Sequence, residues 1–109
     1  MARKAWQIEF DRLRAVYQRQ LPEKLAGLES QLRAARAAGD RESLVVARRE
    51  AHSLKGSSGS YGFSEVSREL QVIEDTLEDL LGSAQPDLIA TWPLLVAHLA
   101  RARAGLVAS

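Results

Sequence analysis

Ala51-His52-Ser53-Leu54-Lys55-Gly56-Ser57-Ser58-Gly59-Ser60-Tyr61-Gly62-Phe63 admits two readings. By composition, Gly56 to Gly62 is a flexible Gly/Ser linker and a helix ends at Lys55. By periodicity the helix runs on, because Leu44, Ala47, Ala51, Leu54, Ser58 and Tyr61 keep one inward line. Residues three and four apart share a helical face. His52 then stands beside Lys55 and Gly56, with Gly59 a turn further on and Arg48 and Arg49 a turn back. Glycine inside a helix costs roughly 1 kcal/mol relative to alanine. Two of them on the imidazole's face leave bare backbone over which a partner can seat itself. Gly62 suits the left-handed residue that closes such a helix, and Ser64 suits the N-cap of the next, with Glu65 in its first turn.

The rest of the chain is helical in pattern and carries no strand signal. Trp6, Phe10, Leu13 and Tyr17 mark a first helix, and Pro22 sits where a helix begins or kinks. Leu21, Leu25, Leu28, Leu32 and Ala35 form a bundle seam that Gly39 ends, and Asp40 caps the next helix. Val66, Leu70, Ile73, Leu77 and Leu80 give the stripe after Ser64. Gly82-Ser83-Ala84-Gln85 is a turn, Pro86 suits the first position of the last helix, and Leu88, Trp92, Leu95, Leu99, Ala102 and Leu106 form its seam, which Pro93 should kink or divide. Short connections favour antiparallel packing. The expected fold is all-α, an antiparallel four-helix bundle with an additional N-terminal helix, in one domain over 1–109 whose ends, about 1–4 and 106–109, fray. Trp6 and Trp92 are expected in the core and His98 on a helix surface.

Composition excludes several classes. With no cysteine there is no disulfide or thiolate metal site, and no histidine–carboxylate spacing marks another metal site. Fifteen Lys and Arg against 14 Asp and Glu leave no basic field for nucleic acid. No apolar run is long enough for a membrane span, and no signal peptide follows Arg3 and Lys4. A cytoplasmic location is the simplest expectation. Without a Walker loop or a kinase Gly-rich loop, the chain is not expected to bind ATP or phosphorylate itself.

His52-Ser53-Leu54-Lys55-Gly56-Ser57-Ser58, followed by Gly62, resembles the signature of histidine-containing phosphotransfer (HPt) domains. That signature is His, any residue, an aliphatic residue, Lys-Gly, two small residues, and a glycine ten positions after the histidine. The resemblance covers most of the chain and implies that the helix continues through the Gly/Ser segment. It implies that His52 accepts a phosphoryl group and exchanges it with an aspartate of a response-regulator receiver domain, in a relay fed by a histidine kinase or hybrid kinase. An unperturbed imidazole titrates near about 6.5, so a histidine is available as a nucleophile at neutral pH. Lys55 is then the charge that meets the phosphoryl oxygens, and Gly56 and Gly59 admit the partner's loops. Arg48 and Arg49 meet acidic residues around its aspartate, or are simply solvated. The module is a phosphoryl carrier without intrinsic cofactor, expected to be a monomer, and Mg²⁺ belongs to the receiver.

Glu74 follows Ile73 at the edge of its helix's apolar stripe. In the chemotaxis-kinase branch of the family a glutamate at the corresponding position bonds the imidazole. The alternative is a solvated acid among Glu74, Asp75, Glu78 and Asp79. Tyr61-Gly62-Phe63 and Glu74 lean toward that branch, whereas the chain's length and Met1 lean toward a separate protein. A helical adaptor or dimerisation bundle without covalent chemistry is the rival reading.

Overall fold

The computed structural model describes residues 4–84 and 87–108, which form four helices and no strand. They are α1 (Ala5–Ala38), α2 (Arg41–Ser60), α3 (Ser64–Gly82) and α4 (Leu88–Ala108). Each packs on the next in chain order and α1 also packs on α4, while α1–α3 and α2–α4 are the diagonals. Short connections and this closed ring define an up-down-up-down bundle. Its core is the set of heptad-like stripes: Leu21, Leu25, Leu28 and Leu32 of α1, Ala47 and Ala51 of α2, Val66, Leu70, Ile73 and Leu77 of α3, and Leu95, Leu99 and Ala102 of α4. Trp92 and Leu106 pack against it partly buried.

The separate N-terminal helix expected from Trp6 to Tyr17 is instead the first half of a 34-residue α1 that passes through Pro22. Proline removes one backbone bond and disfavours a helix interior by about 3 kcal/mol. Leu21 and Leu25 on either side are fully buried, and each such side chain contributes about 1.5–3 kcal/mol, so packing overrides the break. Pro93 likewise lies inside α4 without dividing it. Because α1 outruns its neighbours, its first residues extend past the α2–α3 turn. Trp6, expected in the core, is therefore 64% exposed.

The turns are built by short-range chemistry. Gly39 takes φ 66° and its N–H reaches the Ala35 carbonyl, after which the Asp40 carboxylate accepts from the Ser43 N–H at 2.8 Å. At the end of α2, Gly62 takes φ 82°. Its N–H donates to the Gly59 carbonyl at 3.0 Å, and the Phe63 N–H to the Ser58 carbonyl at 2.8 Å, the paired bonds of a Schellman closure. Ser64, expected as the N-cap of α3, is its first helical residue. Phe63 occupies the cap, since its ring is wholly buried and its carbonyl already accepts from the Ser67 N–H. Asp87 caps α4 through the Ala90 N–H at 3.1 Å. Gln85 and Pro86 lie outside the described residues, as do 1–3 and 109 of the ends expected to fray; Lys4 precedes α1 and donates to Gln7, and α4 runs to Ala108.

Gly62→Ala tests the closure. Only Arg14 approaches the added methyl, at 4.0 Å, so the cost is the left-handed backbone itself, about 1–2 kcal/mol. The variant should melt lower by roughly 5 °C or more by circular dichroism, with unchanged helix content at low temperature.

Candidate functional site

The site starts from the continuity of α2 through its Gly/Ser half. Two turns of helix with so little side-chain packing need outside support, and α1 supplies it. The Tyr17 hydroxyl lies 2.7 Å from Ser57 Oγ and 3.0 Å from Ser58 Oγ, and Ser57 Oγ donates to the Ser53 carbonyl at 3.0 Å. One arrangement satisfies all three: Ser58 donates to Tyr17, Tyr17 to Ser57, and Ser57 to the backbone. Arg14 Nε donates to the Tyr61 carbonyl at 2.8 Å while its guanidinium covers the Phe63 ring. Tyr17 stacks on Tyr61, which also meets Phe10. From the other side Ser67 Oγ donates to the Lys55 carbonyl at 3.0 Å. Arg14, Tyr17 and Ser67 are the residues that sequence reasoning missed. Ser58 on the inward line was the available signal, because a buried hydroxyl needs a partner.

On this supported helix His52 faces the α2–α3 groove with its side chain 64% exposed. Glu74 on α3 is only 4% exposed and meets two groups of α2. Its Oε2 lies 2.6 Å from His52 Nδ1, and its Oε1 accepts from Lys55 Nζ at 3.1 Å. Burial pushes the Glu74 carboxyl up, but hydrogen bonds from His52 and Lys55 together with their charges outweigh it and hold it below the ordinary 4.5. Glu74 is therefore ionised at neutral pH and can only accept. The proton of the short bond must sit on Nδ1, so a neutral imidazole carries its lone pair on Nε2.

The remaining candidates separate. Arg48 pairs with Glu78 of α3 at 3.3 Å, and Arg49 is exposed on the same helix. A methyl at Gly56 would meet nothing within 4 Å, so open space lies above it. At Gly59 it would press on Ser67 Oγ at 3.2 Å. Both glycines are exposed, but Gly59 also lets α3 approach α2, whereas Gly56 has clear space above it. His98, expected on a surface, is instead inserted between α3 and α4 with its Nδ1 on Glu69, its side chain 13% exposed. Concavities lie elsewhere: a groove of about 330 Å³ between α3 and α4 is lined by Glu65, Arg68, Glu69, Arg101, Ala104 and Gly105. Among the described residues no three His, Asp or Glu side chains gather to hold a metal ion, and no helix is long and apolar enough to cross a membrane.

The lowered pKa of Glu74 fixes the sign of a pH effect. Its contribution to stability is fully present above pH about 4.5 and is lost as the pH falls through the folded-state value. Glu74→Gln should cost about 1.5–3 kcal/mol near neutral pH, the range for bonds to charged groups. In urea unfolding the gap between parent and variant should narrow steadily below pH about 4.5; a constant gap down to pH about 3 excludes the ionised pair as its source.

The family model for the Hpt domain matches residues 12–105. No curated protein and no solved structure matches the chain significantly. The match takes in Arg14 and Tyr17 of α1, all of α2 and α3, and most of α4. The chain belongs to the Hpt domain family, the helical phosphotransfer modules of two-component signalling.

Proposed function

We propose that His52 Nε2 is the phosphoacceptor and that it exchanges the phosphoryl group with an aspartate of a receiver domain. The observation that carries this is the pairing of an exposed imidazole with a buried, ionised carboxylate at Nδ1. The Nε2 lone pair attacks phosphorus, the bond from phosphorus to the aspartyl oxygen breaks, and the aspartate leaves as carboxylate. No proton needs to move, since Nδ1–H is retained. The ring gains positive charge as the N–P bond forms, and Glu74 lies against that charge throughout. Phosphoryl transfer is governed by positioning and charge stabilisation, and Lys55 stands one turn from the ring to meet the phosphoryl oxygens. The Mg²⁺ that such transfer uses is the receiver's; this chain contributes no cofactor. It acts as a carrier between kinase and receiver, needing neither nucleic acid nor membrane, and a cytoplasmic setting agrees with that role.

The approach runs over Gly56, where backbone is open to solvent. Arg49, one turn back from His52, is exposed, whereas Arg48 already has Glu78.

Incubated with a receiver phosphorylated on its aspartate, the chain should acquire an acid-labile, base-stable phosphate. His52→Gln should abolish it and keep the helical circular dichroism. Labelling that persists in this variant would falsify the assignment of the nucleophile, and no labelling by any kinase or receiver of a broad panel favours an adaptor. Gly56→Leu and Gly59→Leu should part company. The first should weaken receiver binding by about tenfold or more in calorimetric titration with little change in melting, which corresponds to a loss of about 1.4 kcal/mol. The second should lower the melting temperature, because its side chain enters the α2–α3 contact. Equal behaviour of the two would remove Gly56 from the docking surface.

A further inference from the structure

The outer face of α4 lacks the charged cover of the other three helices. Arg12, Arg19 and Glu23 of α1, Arg41, Glu42 and Arg49 of α2, and Arg68, Asp75 and Glu78 of α3 are all exposed. From Leu88 to Ala100, α4 has no Asp, Glu, Lys or Arg, yet Ile89 is 73%, Leu94 46% and Val96 44% exposed. A surface helix ordinarily turns a polar face to water, and a contiguous apolar patch marks an interaction site. Ala90, Pro93 and Ala97 lie between these larger side chains and are exposed too, so another helix can come close.

The charges that border this face identify its occupant. Asp87, Leu94 and Arg101 are spaced by seven residues, two helical turns, and so share one edge of α4. It is the edge toward α3, where His98 meets Glu69. Asp87 and Arg101 are both exposed. We propose that this face binds a second copy of the chain, with the two α4 helices antiparallel about a two-fold axis beside Leu94. A two-fold axis across antiparallel helices brings like edges together. Leu94 then meets Leu94 of the second copy, and each Asp87 meets the other's Arg101. In a parallel two-fold pair this edge would face the opposite edge of the second copy, leaving Asp87 and Arg101 without each other as partners, so charge favours the antiparallel form. The pattern is self-complementary, as an isologous interface requires. Asp87 to Arg101 spans about 21 Å of helix, a contact at the small end of specific interfaces, which gives a reversible dimer rather than a permanent one. It sets aside the monomer expected from the sequence. Because α4 is diagonal to α2, both His52 sites remain open in such a dimer, and the inference does not depend on the chemistry assigned to them.

Sedimentation equilibrium of the full chain should show the mass rising from 12.0 kDa toward twice that as concentration is raised from about 10 µM to about 1 mM. Leu94→Arg should stay monomeric over the same range with unchanged circular dichroism. Arg101→Glu and Asp87→Arg each place like charges together in both contacts and should each weaken self-association by about tenfold. An equimolar mixture of the two should associate as tightly as the parent, because both contacts are again opposite in sign. That mixture also separates the interface from any loss of the Asp87 cap. Under oxidation Leu94→Cys should form a disulfide-linked pair, whereas Ile89→Cys, about 15 Å from its counterpart in this pairing, should not. A parent chain that remains monomeric at about 1 mM, a Leu94→Arg variant that still dimerises, or a mixture no tighter than its components overturns the proposal.

Discussion

One carboxylate sets the character of the α2–α3 seam. Glu74 is nearly sealed from water, and a buried ionised carboxylate is tolerated only when it is paired and hydrogen-bonded. His52 and Lys55, three residues apart on α2, provide those bonds. The same two bonds impose the imidazole's tautomer, point its other nitrogen outward and hold the lysine beside it. A stability requirement inside the bundle thereby becomes an orientation at its surface. Loss of the pairing would leave a buried charge on one side and a freely rotating ring on the other.

That arrangement requires α2 to remain helical where its composition argues against it. Gly56 and Gly59 weaken the helix, and Ser53, Ser57, Ser58 and Ser60 offer alternative backbone bonds. The N-terminal half of α1 removes these alternatives. Tyr17 engages the hydroxyls of Ser57 and Ser58, Arg14 takes the Tyr61 carbonyl, and Gly62 closes the helix behind them. The length of α1 has its reason here: its first turns reach the far end of α2, at the cost of leaving Trp6 in water.

The bundle is legible in the sequence because each stripe of apolar residues has a helical period and each stripe is buried. Leu21 through Ala35, Leu44 through Leu54 and Val66 through Leu80 are read correctly from spacing alone. Boundaries are less legible. Pro22 punctuates locally, but the burial of Leu21 and Leu25 is a tertiary effect that no local rule contains. Ser64 has the chemistry of a cap, yet the cap falls on Phe63 because the buried ring fixes the turn. At the candidate site, the spacing of His52, Lys55 and Gly56 is visible, whereas the distinction between Gly56 and Gly59 depends on Ser67, which sits on another helix. Glu74 and its acidic neighbours look alike in sequence; burial on one side of α3 separates them.

Two histidines in this chain meet a glutamate of α3 through Nδ1, and their surroundings assign them different work. His98 and Glu69 lie in the α3–α4 seam, with 13% and 21% of their side chains exposed. With the imidazole packed between helices, the pair acts as a tie that positions α4. His52 has the same partner type and the same ring nitrogen engaged, but 64% of its side chain is open and Gly56 leaves clear space beside it. A carboxylate on Nδ1 is thus insufficient to mark a nucleophile. What sets His52 apart, and carries the role proposed for it, is the joint presence of an oriented ring, a neighbouring ammonium group and the clear space that Gly56 leaves one turn on.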